Sequence, residues 1–192
     1  MTEFSYISKP RRTKEDRRFI TGQGKFVADV KLPNTKHVAL ITSPFAAAEI
    51  KSIDTSEAIA MDGVVYVLTG EELEAATASL MSGLDLPEYH RYPLASKVTR
   101  YAGEWVAAVV ADNRYIAEDA AELVYIDYEP LDFVVDPEEA IKPNAPLVHP
   151  EIGSNIFFQR TFQWGPVDQD FKSADHSIAY RARWCRNSTV PI

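Results

Sequence analysis

The stretch Trp105-Val106-Ala107-Ala108-Val109-Val110-Ala111-Asp112-Asn113-Arg114-Tyr115-Ile116-Ala117-Glu118-Asp119-Ala120-Ala121-Glu122-Leu123-Val124-Tyr125-Ile126-Asp127-Tyr128-Glu129 decides the fold class. Its first seven residues are all apolar, which suits a buried strand. The pattern then changes period. Ile116, Ala120 and Leu123 recur on one face of a helix that Asp112 or Asn113 can cap. Arg114 and Glu118 stand four apart, a pairing that contributes roughly 0.2–0.5 kcal/mol on an exposed helix face. Val124–Glu129 returns as a strand and stops at Pro130. A strand, a helix and a strand in so short a span predict a crossover unit with parallel strands.

Upstream of this unit the same alternation recurs. His37-Val38-Ala39-Leu40-Ile41-Thr42-Ser43 reads as a buried strand closed by Pro44, and Ile50-Lys51-Ser52-Ile53-Asp54 alternates like a half-buried one. Asp54 and Glu57 have the spacing of a capping box for a helix reaching Met61, with Asp62-Gly63 as its stop. Val64–Leu68 is strongly β-branched, and Thr69-Gly70-Glu71-Glu72 offers a second capping box for a helix to about Ala78. The predicted class is therefore mixed α/β, or α+β. Residues 79–100, interrupted by Pro87 and Pro93, read as an irregular connection.

The two ends differ in character. Residues 1–30 read as an extended, charged segment. Gly22-Gln23-Gly24 makes a turn there and not a phosphate loop, since no third glycine and no helix pattern follow. A mixed domain spans 31–140. From Pro137 the composition shifts, and Pro137, Pro143, Pro146 and Pro150 mark a stiff extended stretch, with the linker placed at 141–154. Beyond it, Asn155–Trp164 and Ser177–Trp184 look like strands around a short Val167–Ala174 segment, the beginning of an incomplete second domain, since two strands are too little sheet to stand alone.

Composition narrows the function. The 192 residues are 46% hydrophobic, with a formal net charge of −8, and basic residues never gather into a stripe. Such a chain buries a core but grips phosphate backbones poorly, so nucleic acid is not expected as a partner. No signal peptide and no apolar run of roughly 18–20 residues is visible, so a cytoplasmic protein without a membrane span is expected. The single cysteine, Cys185, rules out an internal disulfide or a cysteine-clustered metal site, and it reads as a small buried apolar residue.

A search for catalytic groups comes back nearly empty. The histidines His37, His90, His149 and His176 are too far apart for local metal-binding pairs, and His149 reads as a surface residue. The acidic pairs Glu71-Glu72, Glu118-Asp119 and Glu138-Glu139 fit helix caps and solvated faces. Ser43 and Ser188 have no evident base, no nucleophile elbow or phosphate-binding loop is present, and Asn187-Ser188-Thr189 is not expected to carry a glycan. No catalytic, cofactor-binding or metal-binding residue is therefore assigned to the chain.

Several stretches, taken together and in order, resemble the large subunit of molybdopterin-dependent hydroxylases, the family of xanthine dehydrogenase, aldehyde oxidase and aerobic carbon monoxide dehydrogenase. They are Arg12–Asp29 with Glu15-Asp16, Gly22-Gln23-Gly24 and Phe26; Ser43–Ile50, then Ile53-Asp54, Ala58 and Gly63–Thr69; and Gly103–Ala111 running on to Leu131. Gly153–Ile156, Gly165–Asp168 and Arg186–Pro191 complete the set. Ala48 and Trp105 depart from the pattern, Trp105 standing where a proline is common after Gly-Glu. The resemblance implies an α/β hammerhead domain with a mixed sheet at 31–140, and the start of a molybdopterin-binding domain at 155–192. It implies a structural role near the N-terminus of an oxidoreductase subunit that hydroxylates a carbon centre or oxidises carbon monoxide with oxygen from water. Molybdopterin is implied for the complete subunit, with iron–sulfur clusters and FAD on partner subunits or domains of an oligomeric enzyme. The family's glycine-rich and glutamine-rich cofactor loops and its glutamate base match no position here. The competing reading is a free-standing hammerhead module that binds or assembles without catalysing.

Overall fold

In the computed structural model the described residues are 10, 12–80, 89 and 91–184. They divide into two compact units, one reaching Asn155 and the other starting at Ile156.

The first unit carries two three-stranded sheets. β1 (His37–Thr42), β5 (Trp105–Ala111) and β3 (Val64–Thr69) form one, in the order β1-β5-β3. β4 (Val98–Thr99), β2 (Ala48–Asp54) and β6 (Tyr125–Pro130) form the other, in the order β4-β2-β6. Among the described residues every pairing is antiparallel. The mixed α/β class thus holds, but the expected parallel crossover does not. β5 and β6, joined by helix α4 (Arg114–Glu122), lie in different sheets. The reason lies in the partners: β5 is wholly apolar and takes the centre of its sheet, whereas the alternating β6 pairs with the equally alternating β2.

Alanine sets how closely helix and sheet approach. Ala58 on α2 (Ser56–Ala60) and Ala120 on α4 are buried against Val67 and Val109, with Ile41, Met61, Val64, Ala121 and Val124 around them. The buried stripe of α4 is Ala117 and Ala120, while the expected core residue Leu123 is 40% exposed. Leu123 is the C-cap of the helix, so its side chain leaves the stripe where the helical period stops.

The caps follow local chemistry. Asn113, not Asp112, caps α4, its Oδ1 accepting from the Ile116 N–H at 3.0 Å. Asp112 instead pairs with Lys36. Thr69 caps α3 (Gly70–Ala76) as expected: its Oγ1 accepts from Glu72 N–H, and the Glu72 carboxylate accepts from Thr69 N–H at 3.1 Å. The Asp54–Glu57 box does not form. Asp54 accepts from both the Oγ and the backbone N–H of Ser56, at 2.7 and 2.9 Å, leaving Thr55 at the cap position. Those two bonds, the hydroxyl's first, hold the Asp54 carboxyl below its ordinary value.

Four short elements were not evident from the sequence: α1 (Asp16–Ile20), a 3-10 turn at Val27–Asp29, the two-residue β4, and α5 (Pro137–Ala140). In α5 a proline in the first turn and Asp136 at the cap start a helix inside a stretch that otherwise reads as extended. Turns follow, and Asn155 ties them down. Its Nδ2 donates to the carbonyls of Ala140 and Pro146, each at 2.9 Å, and its Oδ1 accepts from Val148 N–H at 3.0 Å.

In the second unit α6 (Val167–Ser173) forms where a short segment was expected. The strands expected at 155–164 and 177–184 do not form among the described residues. Aromatic alternation there has no partner strand to complete a ladder. Phe162 and Trp164 stack on each other with centroids 5.8 Å apart.

Candidate functional site

The segment joining the two sheets organises the polar part of the first unit. Residues 95–104 contribute β4 to one sheet and then turn into β5 of the other. The turn closes through Ser43: its N–H donates to the Glu104 carbonyl and its carbonyl accepts from Gly103 N–H, both at 2.8 Å. Gly103 has φ +93°, a left-handed conformation that favours glycine.

Ser43 is also the hub of a buried hydroxyl cluster. Its Oγ lies 3.1 Å from Thr99 Oγ1 and accepts from Phe45 N–H at 3.2 Å. Thr99 in turn donates to the Ala48 carbonyl at 3.4 Å. Nearby, the Tyr128 hydroxyl is shut off from solvent, and burial raises its pKa above the ordinary phenol value, outweighing the opposite pull of the neighbouring Ser43 hydroxyl. Ser43 therefore spends its hydroxyl on structure, and none of these partners is a base.

A hollow of about 650 Å3 opens beside this turn, with Arg91, Lys97, Arg100, Glu104, His149 and Glu151 among its lining. The backbone N–H of Arg100 donates to the Glu104 carboxylate. Arg100 Nη1 donates to the Val98 carbonyl at 3.3 Å, while its Nε is enclosed and unpaired. His149 is a correction to the sequence reading. It is half-buried and not fully exposed: its ring meets the Tyr89 ring edge-on at 4.7 Å, and its Nδ1 lies 2.9 Å from Glu151 Oε1. Only 19% of its side chain is exposed. Burial pushes the Glu151 carboxyl up, but the hydrogen bond with His149, a backbone hydrogen bond and the charges of His149 and Arg100 outweigh it and hold the group below its ordinary value. A second, mostly apolar groove of about 620 Å3 runs between residues 98–102 and 131–135.

The remaining candidates are scattered. His37 and His176 are exposed and belong to different units, and His90, Cys185, Asn187 and Ser188 lie outside the described residues. Glu72 is absorbed by the α3 cap, Glu118 by its ion pair with Arg114 at 2.7 Å, and Glu139 by Lys142. Among the described residues no three His, Cys, Asp or Glu side chains gather to hold a metal. No helix of the described residues is long and apolar enough to cross a membrane. Sequence reading missed Arg100, Glu104 and the Ser43–Thr99 pair. The signal available was the turn glycine at 103 beside a charged residue; the contacts that give it meaning span 56 positions of chain.

The geometry describes a two-sheet scaffold with paired charges, and the comparisons agree with it. Residues 21–132 match the family model described as aldehyde oxidase and xanthine dehydrogenase, a/b hammerhead domain. The chain is similar to the carbon monoxide dehydrogenase large chain of Hydrogenophaga pseudoflava, 37% identical over 166 residues, covering 81% of this chain and 20% of that one. It is similar to the 6-hydroxypseudooxynicotine dehydrogenase complex subunit gamma of Paenarthrobacter nicotinovorans, 33% identical over 195 residues, with 98% and 24% covered. The aldehyde oxidoreductase of Desulfovibrio gigas superposes with a TM-score of 0.71 at 29% identity, over 84% of this chain and 19% of that one. The chain spans about a fifth of the length of these relatives. With the hammerhead model matched over more than half of its residues, the chain belongs to the aldehyde oxidase and xanthine dehydrogenase hammerhead family.

Proposed function

We propose that this chain is the scaffold portion of the large, molybdenum-carrying subunit of a hydroxylase, and that it is catalytically incompetent alone. The observation that carries the reading is the hammerhead match over residues 21–132 in a chain that spans only about a fifth of relatives such as the carbon monoxide dehydrogenase large chain. The division into an N-terminal segment at 1–30, a hammerhead at 31–140, a linker at 141–154 and the start of a cofactor domain at 155–192 belongs to the same proposal.

In that setting the complete enzyme oxidises an aldehyde, an N-heterocycle such as a purine, or carbon monoxide, with oxygen from water. Electrons leave through iron–sulfur and FAD groups on partner subunits or domains of a cytoplasmic complex. The residues described here do not fit molybdopterin itself. In the polar hollow the Glu104 and Glu151 carboxylates are already engaged by Arg100 N–H and His149. Gly63 and Gly70 are filled in by Ile116 and Ala95, so neither leaves room for a phosphate to approach the backbone. The cofactor would be held elsewhere in the larger subunit.

An antibody raised against residues 31–140 and used on native cell extract tests this. A single band several times larger than 21.5 kDa is expected. A band at 21.5 kDa would replace this reading with a separate hammerhead module that assembles with other proteins.

A further inference from the structure

We propose that Asp62 is a self-modifying position: the Gly63 nitrogen attacks its side-chain carboxyl carbon, and the isoaspartyl bond that results releases the turn between α2 and β3 from the start of α4. Asp62-Gly63 is the single place in the sequence where glycine follows Asp or Asn. Glycine matters twice to this reaction. It has no side chain to crowd its own nitrogen, and its backbone rotates freely enough to bring that nitrogen to the preceding side chain.

The fold leaves both reacting groups free. Asp62 is exposed in the turn Met61–Val64, which closes through Val64 N–H donating to the Met61 carbonyl at 3.2 Å. Gly63 holds φ +86° at the third position of that turn. Among the described residues, neither the Asp62 carboxylate nor the Gly63 N–H has a hydrogen-bond partner. Other aspartates are committed. Asp29 accepts from Phe26 N–H at 3.0 Å, Asp54 from Ser56, and Asp136 from Glu138 N–H at 2.8 Å, while Asp112 pairs with Lys36.

The step balances without a co-reactant. A bond forms between Gly63 N and Asp62 Cγ, closing a five-membered succinimide, and the carboxyl hydroxyl leaves with the amide proton as water. Water then opens the ring. Attack at Cγ restores aspartate; attack at the main-chain carbonyl carbon leaves Gly63 joined through Cγ, with a free α-carboxylate. Mass and charge are unchanged, but the main chain gains one carbon between Asp62 Cα and Gly63 N. That carbon enters where the fold has little slack. The Gly63 carbonyl accepts from Asp112 N–H at 2.9 Å, and a methyl added at Gly63 would lie 2.8 Å from Ile116 Cδ1. The longer chain cannot keep both the Asp112 hydrogen bond and the packing on Ile116, so the turn opens locally.

The native protein tests this, held at physiological pH and temperature and sampled until a free Ser56–Thr69 peptide has isomerised. Electron-transfer fragmentation of the digest locates isoaspartate, and an isoaspartyl-directed carboxyl methyltransferase with a labelled methyl donor counts it. Isoaspartate at position 62 should exceed that at Asp54 at least tenfold. Asp62→Glu, which would need a slower six-membered ring, should lose the methyl-accepting site. In the isomerised fraction the Asp112 amide should exchange at least tenfold faster than in fresh protein. Absence of isoaspartate at position 62, or equal accumulation at Asp54, overturns the proposal. Unchanged exchange at Asp112 overturns the release of the turn.

Discussion

A methyl group added to Gly70 would lie 2.0 Å from the carbonyl oxygen of Ala95. Gly70 is the first residue of α3, directly after the Thr69 cap, and its bare Cα lets the 94–96 segment pass over the end of β3. Two effects oppose each other in Gly70→Ala. Helix propensity favours alanine by about 1 kcal/mol, but a backbone carbonyl cannot swing aside as a side chain can. Overpacking should win, with a net destabilisation of about 1–3 kcal/mol in urea denaturation. Gly24→Ala is the control, since its new methyl meets only the Phe19 ring, whose side chain can move. A Gly70→Ala protein as stable as the parent would mean that the 94–96 segment is not held against the helix.

The cap above that glycine can be tested separately. Thr69→Ala removes the oxygen that accepts from Glu72 N–H and should destabilise the chain by about 1 kcal/mol. Thr69→Ser keeps the oxygen and should recover most of the loss. Equal losses in both variants would point to packing of the threonine methyl as the source.

Val109 is fully buried in the cluster with Val67, Ala58 and Ala120, so removing its two methyl groups leaves a cavity in the core. Val109→Ala should therefore lower stability by about 2 kcal/mol, transfer and cavity contributions together. Calorimetry reads this as a lower melting temperature, and a change within a degree of the parent would contradict the packing described.

These sites also mark what was legible in advance. The strands around Val38, Val64 and Val109 and the Thr69 cap were readable because each announces itself in a pattern of residue types within a few positions. Sheet membership was not. Whether the strand after α4 returns beside β5 depends on β2, more than seventy residues upstream of β6, competing for its edge. β4 was invisible for a similar reason: two residues carry no period, and only pairing with Ala48 and Glu49 makes them a strand. His149 was misjudged because proline neighbours suggested an exposed linker, while its Tyr89 contact crosses sixty residues of chain.

The Glu151–His149 contact gives a pH dependence of definite sign. The Glu151 carboxyl lies below its ordinary value of 4.5 in the fold, so the folded chain holds its proton less tightly than the unfolded one. The stabilisation is thus fully present above pH about 4.5 and fades as pH falls through the lowered folded value. Because the carboxylate side chain is 40% exposed, the effect is local and small compared with global stability. Amide exchange is the suitable reading, at the turn where Ile152 N–H donates to the His149 carbonyl and Gly153 N–H to that of Pro150. Protection there, corrected for intrinsic exchange, should drop between pH 5 and pH 3 in the parent, and Glu151→Gln should flatten the profile by lowering its upper plateau. A profile unchanged by Glu151→Gln, or protection that rises as the carboxylate is neutralised, would show that the ion pair does not hold the turn.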